Sequence, residues 1–526
     1  MIGRLVLSDR NIYKINSGTK QITARKCNIL SQHIPDILIK TSKEFNSHDE
    51  YIKFNPDTNI ILEGLGQIGI DTADKDIYYH LFTYNWLSMN KYSKLWDDYL
   101  DKKFDLAYKV NIERTLYKTQ VITIDPKDSI DLDDGFSFIS DEMFWNLDIH
   151  IADPVSLFDF DNPKFKPIYD ELIIRLQTCY ISQSTKPNNH THLLPPKIVE
   201  LVSLLEINSD SSSSSSSSSK RALSFCFKIA KQTNQIINFE LKPTNLIKIK
   251  NYTYEDYDIF INSISNTELK TELIDMINTL IEIIGLNKQM YPNLLQFDNI
   301  SHKMIEIFMI LTNWYGGNYL LNTIKSNPIL RVQNSYILGE DFNMEMVPIY
   351  ARPFLSVSAN YINPKNPINT NDNLEQTTFI HSSLGISNYT HLSSPMRRFI
   401  DIINHLTFYN LNLNLNLNLE TINIQIKNQK KIDNAWKLIC FIKSNPQSNR
   451  FKACLFDWVS VKTTNKIIGT LVLYQQENNF ISMVNVELPQ IESTTNLTKY
   501  IEWNVELYYN SNNFKCKKFP FSIKII

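Results

Sequence analysis

Four aspartates, Asp125, Asp131, Asp133 and Asp134, crowd the stretch that follows a short β-prone run, Val121 to Ile124. A fifth, Asp128, lies between them. From Asp125 to Asp161 there are eleven Asp or Glu residues against one Lys, Lys127, a local net charge of −10. Like charge at that density is costly unless a cation sits among it. Carboxylate oxygens are hard ligands and select Mg²⁺ or Mn²⁺. Two such ions about 4 Å apart are the usual device for in-line attack on a phosphodiester. A calcium loop is a rival reading, but an EF-hand needs oxygen ligands at its first, third and fifth positions before Gly. Counted back from Gly135, those places hold Ile130, Leu132 and Asp134, so two of the three fail. On this motif alone, a metal site and a solvated acidic loop both stay open.

A second signal lies far downstream, in Tyr389-Thr-His-Leu-Ser-Ser-Pro-Met-Arg-Arg-Phe-Ile-Asp401. Ser394 suits an N-cap and Pro395 a first helical position. Apolar residues then recur at Met396, Phe399, Ile400 and Ile403, which predicts a helix from Pro395 onward. A helix N-terminus is a ready phosphate site, and Arg397 and Arg398 in its first turn oppose the dipole unless an anion is bound there. The alternative is an i,i+4 ion pair between Arg397 and Asp401.

The elements that must position these residues divide the chain in three. Residues 1 to about 85 alternate β-like runs (Gly3–Leu7, Lys20–Ala24, Asp36–Lys40, Asn59–Glu63 and Gly66–Ile70) with polar turns, as in a small OB-type barrel. A helical linker over 86–119 follows, around Tyr84–Leu106. The centre, 120–445, mixes strands such as Met143–Ile151 with helices near 266–287, 302–325 and 395–410. The last segment, 449–526, carries strand-like runs at Phe451–Val461, Ile467–Tyr474, Phe480–Val486 and Trp503–Tyr509, which suit a second barrel. The expected fold class is α+β: a mixed central unit flanked by OB-type barrels, whose aromatic faces and basic grooves would suit a single-stranded nucleic acid. A serine run at 211–219 reads as a disordered surface insertion. The Asn-Leu alternation from Asn410 to Leu419 reads as the end of the Pro395 helix or a loop.

With both signals in hand, the chain resembles the ribonuclease II / ribonuclease R family, whose catalytic unit is the RNB domain. The family's D-x5-D-x-D-D signature is matched by Asp125, Asp131, Asp133 and Asp134. His150-Ile-Ala-Asp153 is similar to its HIAD strand, and Leu194 to Leu205 to its MLPxxLSxxLCSL segment. Arg221-Ala-Leu-Ser-Phe is similar to the strand beyond it, Ile305 to Asn313 to its EEFMLLAN helix, and His381 to Asp401 to HFGLGLxxYTHFTSPIRRYxD. The chain departs from the pattern at Gly135 (usually Ala), Pro154 (inserted), Gln177 to Ser182 around Tyr180, Gln333 (usually His) and Asp433-Asn434 (often Glu-Arg).

The resemblance implies Mg²⁺-dependent, hydrolytic and processive 3′→5′ degradation of single-stranded RNA to nucleoside 5′-monophosphates, with two ions and Mn²⁺ as a substitute. It implies Asp125 and Asp134 as direct ligands, and Asp131 and Asp133 as further ligands or as groups that orient attacking water. Arg397 would clamp the scissile phosphate. Arg398 would bind a neighbouring phosphate or support the fold. Tyr180 would stack on a terminal base or serve as a buried structural ring, Tyr389 would lie on the RNA path, and His150 would be structural. An RNA-binding pseudoenzyme is the alternative. An endonuclease is a third reading; relatives that cut internally carry a separate N-terminal nuclease domain, for which the first 120 residues leave little room. The C-terminal Phe-Ser-Ile-Lys-Ile-Ile526 contrasts with the Lys-rich tail that accompanies duplex degradation in the family, so stalling at stable duplexes is expected.

The bulk numbers set bounds. The 526 residues allow three or four domains, and 43% hydrophobic content with 12% aromatics is enough for real cores. Net charge is −2, but from Lys427 to Lys466 nine Lys or Arg face only Asp433 and Asp457, a basic stretch that suits a phosphate backbone or a solvated helix face. The six cysteines include no CxxC pair, so no disulfide framework or zinc site is expected. No signal-peptide core and no run of 18 apolar residues is seen, so a monomer in a reducing intracellular compartment, away from membranes, is the expectation.

Overall fold

The computed structural model describes residues 2–5, 13–17, 20–29, 37–40, 50–55, 57–67, 92, 94, 96, 112–157, 166–178, 192–207, 219–286, 300–333, 344–355, 358–364, 379–410, 417–445, 449–461, 466–477, 480–488, 499–509 and 521–526. Tyr180, the serine run to Ser218, most of the predicted linker and residues 411–416 of the Asn-Leu run lie outside them.

Six strands open the chain: β1 (Ile2–Leu5), β2 (Tyr13–Ser17), β3 (Lys20–Ile29), β4 (Ile37–Lys40), β5 (Glu50–Asn55) and β6 (Ile60–Gln67). β1 pairs with both β3 and β5, β5 with β6, and β4 with β3 and, in parallel at Lys40↔Ile60, with β6. These pairings close a five-strand ring, and β2 extends the hairpin with β3. Leu5, Cys27, Ile39, Ile52 and Phe54 fill it. This is the order of an OB barrel. β2 and β5 were not among the expected runs; their apolar residues alternate with Lys, Asn and Glu, a thin signal over five or six residues.

The centre is a seven-stranded sheet of β7 (Thr115–Tyr117), β8 (Val121–Asp125), β9 (Asp134–Ser140), β10 (Phe144–Ala152), β11 (Lys220–Ala230), β12 (Gln235–Leu246) and β13 (Ile249–Thr253), in the order β13-β8-β9-β10-β11-β12-β7. Only the two outermost pairings, β13 with β8 and β12 with β7, are parallel. Helices cover both faces: α1 (Lys166–Arg175), α2 (Pro196–Val202), α3 (Tyr254–Ile261), α4 (Thr267–Ile284), α5 (Ile300–Asn322) and α6 (Phe399–Phe408). Alternation along β8 and β9 divides the core. Ile124, Phe136, Leu147, Ile149 and Phe225 pack against α3, α4 and α5. Val121, Leu132 and Ala152 face α1, α2 and α6. α5 is apolar on nearly all sides, as a helix buried in the middle of a domain must be.

One predicted boundary is corrected. The helix expected from Pro395 begins at Phe399; residues 395–397 form a turn in which Arg397 and Arg398 both donate N–H to Ser394 O. The reason is tertiary: Arg398 is extended and bridges to Gln177, Thr178 N–H donates to Arg397 O, and Phe399 N–H to Leu176 O. At its other end α6 stops at Phe408, and Asn410 takes a positive φ of 54°. A separate long helix, α7 (Leu419–Ser444), starts where the Asn-Leu run finishes, capped by Asn418.

Two small antiparallel pairs follow α5: β14 (Leu330–Val332) with β15 (Asn360–Ile362), and β16 (Ile380–His381) with β17 (Ile386–Ser387). Beyond α7, strands β18 (Arg450–Val461), β19 (Lys466–Gln475), β20 (Phe480–Glu487), β21 (Glu502–Tyr509) and β22 (Phe521–Ile525) form a closed barrel in the order β18-β19-β20-β22-β21. The first four match the predicted runs within a residue, and β22 is the strand sequence reading missed. Leu438 and Phe441 of α7 pack into this barrel's core.

Candidate active site

The acidic cluster is built by two adjacent strands and the loop between them. β8 ends on Asp125 and β9 begins on Asp134, so the two carboxylates sit at the same end of neighbouring strands. The loop between them is stitched down from three sides. Leu132 N–H donates to Ser203 Oγ (2.9 Å), Ser203 Oγ donates to Ile130 O (2.8 Å), and Leu204 N–H donates to Leu132 O (3.1 Å). Ala152 N–H, at the end of β10, donates to Asp133 O (2.8 Å). Leu132 is buried in the core between Asp131 and Asp133, which fixes where both acids emerge.

The basic segment meets the loop directly. Met396 N–H donates to Asp133 Oδ1 (2.9 Å), and Arg397 Nε lies 3.3 Å from Asp133 Oδ2. Arg397 therefore pairs with an acid far away in the sequence, and the local partner Asp401 goes instead to Arg398, whose Nε is 2.9 Å from Asp401 Oδ2. The Arg397–Asp401 alternative is thereby corrected: Arg397 lies outside the helix whose i,i+4 geometry the pair required. The Arg397 side chain keeps 42% of its surface exposed, while that of Asp133 keeps 3%.

Charge in this site is out of balance. Burial, then the neighbouring charges of Asp134 and Asp131, push the Asp125 carboxyl up to about 8 against the pull of Arg397. Burial lifts Asp134 to about 6, moderated by Arg397 and Arg398. Asp133 is raised well above the usual range by burial, although Arg397 and the Met396 N–H favour its anion. Among the described residues, Asp125 Oδ2 and Asp133 Oδ2 are buried with no hydrogen-bond donor, Asp133 Oδ2 having only its ion pair with Arg397. Such oxygens are costly to leave unmet. Among the described residues, no three His, Cys, Asp or Glu side chains converge closely enough to hold an ion as they stand. The donor set is nonetheless hard and anionic, the ligand chemistry that small divalent cations select.

The support beneath the basic segment is dense, and sequence reading missed most of it. Asn313, on α5, accepts from Leu392 N–H (2.8 Å) and Ser393 N–H (3.2 Å), and donates to Tyr389 OH (3.1 Å) and Ser393 Oγ (3.2 Å). Asn404, on α6, donates to Thr390 Oγ1 (2.8 Å) and His391 O (3.0 Å). His405 Nε2 bonds Leu392 O (2.8 Å), and Asp401 accepts from Ser394 N–H (2.8 Å). Gly316 and Gly317 let α5 lie directly against this segment: a Cβ on Gly317 would stand 2.1 Å from Asn388 O. Tyr389 and Arg398, expected on the RNA path, are both engaged in this support. Tyr389 is buried against His381 and His391, and Arg398 is held by Asp401 and Ser393.

The remaining motif residues are structural in placement. His150 is fully buried, its Nδ1 2.7 Å from Ser224 Oγ, and burial lowers its pKa to about 3. Asp153 is clamped by Arg114 and by Tyr409 OH (2.5 Å). Gln333 Oε1 accepts from Ser383 N–H (2.9 Å), and Pro154 opens a single buried 3₁₀ turn. Tyr254, stacked on His302 with ring centroids 3.8 Å apart, lies near enough to Asp134 and Asp125 to feel both charges.

The decisive comparison covers this whole constellation: the family model described as RNB domain matches residues 113–412. The chain belongs to the RNB-domain family. DIS3-like exonuclease 2 of Schizosaccharomyces pombe (strain 972 / ATCC 24843) is 23% identical over 356 residues, covering 56% of this chain and 37% of that protein. The chain thus spans little more than a third of the length of that relative. Among solved structures, RNase R of Mycoplasma genitalium in its apo form has a TM-score of 0.67 at 14% identity, covering 100% of this chain and 89% of that one. Yeast Ssd1, described as a pseudonuclease, has a TM-score of 0.58 at 14% identity, covering 97% and 66%. At these identities the structural likeness is one of fold, and it extends to a chain described as lacking nuclease function. No helix among the described residues is long and apolar enough to cross a membrane.

Proposed function

We propose that this RNB-family protein is a Mg²⁺-dependent, hydrolytic 3′→5′ exoribonuclease that degrades single-stranded RNA processively to nucleoside 5′-monophosphates. The observation that carries the reading is Asp125 Oδ2, buried with no hydrogen-bond donor among the described residues, beside the charges of Asp134 and Asp131 and facing Arg397. A fold that had no use for a cation would be expected to neutralise or replace carboxylates in that position.

Asp125, Asp131 and Asp134 would hold the metal, which when bound supplies Lewis acidity and an activated water. Asp133 spends one oxygen on Met396 N–H and faces Arg397 with the other. It holds the guanidinium beside the metal-binding carboxylates, where charge would build on the phosphate. Arg398 and Tyr389 act from beneath, keeping the 389–398 segment in place. Tyr180 remains the proposed base-stacking residue by family resemblance.

The alternative, an RNA-binding pseudoenzyme, is favoured by the fold likeness to Ssd1. A digest of 5′-labelled single-stranded RNA, with Mg²⁺ or chelator, by wild type and Asp133→Asn separates the two. Mg²⁺-dependent shortening from the 3′ end, absent in the variant, is expected. RNA retention without shortening by wild type would establish the pseudoenzyme.

A further inference from the structure

His192 was not singled out by any motif, yet it stands at the edge of the acidic loop. Its Nδ1 lies 3.7 Å from Asp131 Oδ2, too far for a hydrogen bond. The residue is 8% exposed, and its Nδ1 is buried with no hydrogen-bond partner among the described residues. Asp131 is in turn close enough to Asp125 and Asp133 for its charge to raise both of their carboxyls. The imidazole is thus a buried nitrogen donor beside an oxygen-donor cluster.

The backbone carrying it is fixed. Tyr92 OH donates both to His192 O (2.9 Å) and to Leu194 O (3.1 Å). Leu193 N–H donates to Thr178 Oγ1 (3.1 Å), and the Leu193 and Leu194 side chains are fully buried. The Arg175 guanidinium lies over the Tyr92 ring at 4.2 Å. The chain from His192 to Leu194 is therefore pinned, while the Nδ1 edge of the His192 ring has no hydrogen-bond partner among the described residues. Two donors each about 2.1 Å from one ion sit roughly 3.0–3.5 Å apart, so a 3.7 Å gap closes around a shared ion with a few tenths of an ångström of movement.

We infer that His192 is a nitrogen ligand to the metal at this site, shared with Asp131, and that it tilts the site toward Mn²⁺ over Mg²⁺. The inference rests on the metal-dependent reading proposed above. Mg²⁺ takes oxygen ligands at near-ideal octahedral geometry, whereas first-row transition ions accept imidazole, and Mn²⁺, although first and weakest in that series, accepts it more readily than Mg²⁺ does. A site of carboxylates alone would discriminate weakly between the two ions.

The test is made on the whole chain, free of any tag, with Mn²⁺ as the probe, by calorimetric titration and by pulsed EPR of the loaded protein. Wild type is expected to show the modulation of a directly coordinated imidazole nitrogen. His192→Leu and His192→Gln are expected to lose it, and to lose about tenfold or more in Mn²⁺ affinity while Mg²⁺ affinity moves less than about twofold. Asp134→Asn is expected to abolish binding of both ions. Mn²⁺ bound by wild type without the nitrogen signal overturns the role of His192 and leaves the metal-dependent reading standing. No Mn²⁺ or Mg²⁺ binding by wild type overturns both.

Discussion

At the residue scale, the chemistry rests on one long-range handshake. Met396 N–H and Arg397 both reach Asp133, and the local partner that Arg397 could have taken, Asp401, is held by Arg398. Arg397→Ala is accordingly expected to lower kcat by about 10²–10³-fold, the usual size for losing one preorganised charge donor, with the smaller stability loss of the two arginines because its side chain is 42% exposed. Arg398→Ala is expected to do the opposite and cost mainly stability, about 3 kcal/mol or more, since it strands buried Asp401. Denaturant melts beside steady-state rates check both. His150 supplies a pH prediction. It titrates near 6.5 in an unfolded chain and near 3 when buried here. A lowered folded-state pKa on a histidine means that its contribution is present above about 6.5 and is lost as pH falls through that value toward 3. The slope is about 1.4 kcal/mol per pH unit for each such group. His150→Asn should flatten the acid limb of a stability–pH curve by roughly that slope; an unchanged limb would show that His150 does not titrate between the two states. The four aspartates were legible in the sequence because their crowding is local. His192, Asn313, Asn404 and Arg114 were not, because each acquires its meaning from a partner that the chain brings in from a distance.

At the element scale, the site depends on how closely α5 approaches the 388–394 segment. Gly317→Ala places a methyl 2.1 Å from a backbone oxygen that cannot swing aside. It is expected to cost several kcal/mol and to lower activity together with stability. Gly285→Ala is the control. That residue caps α4 at φ +65° with open space around it, so about 1 kcal/mol of strain and no loss of activity are expected. Asn313→Leu should resemble Gly317→Ala, because it leaves Leu392 N–H and Ser393 N–H buried and unmet. Thermal melts and rates measured on the same preparations check all three. Helix periodicity located α4 and α5 to within a few residues. It misplaced the start of α6 because the Ser-Pro signal there is spent on a turn, while the Arg397–Arg398 backbone bonds to 176–178. A cap motif predicts a helix start only where no neighbouring strand competes for the same N–H groups.

At the scale of the whole molecule, two barrels of OB strand order stand at either end of the RNB sheet. Both were foreseen as strand-rich segments, but β22 was missed because ring closure is decided by pairing and leaves little trace in a five-residue run. Net charge is only −2, so any grip on RNA must come from local patches. One candidate is a cleft of about 790 Å³ on the C-terminal barrel, lined by Arg450, Lys452, Phe451, Tyr474 and Glu477, with Arg450 paired to Glu506 and Lys452 to Glu502. If single-stranded RNA lies there, the double substitution Arg450→Glu, Lys452→Glu should weaken RNA binding. The slope of log affinity against log salt should shrink by about 0.7 for each phosphate that is no longer neutralised. A filter-binding series over salt reads this directly, and an unchanged slope would place the RNA elsewhere. Single-stranded RNA is to be digested in water enriched in heavy oxygen, with Mg²⁺ or with chelator, and the products weighed. Hydrolysis at a metal held by Asp125, Asp131 and Asp134 predicts nucleoside 5′-monophosphates released only with Mg²⁺, each carrying one labelled oxygen on its phosphate. Intact RNA under both conditions, or internal fragments in place of mononucleotides, would contradict it.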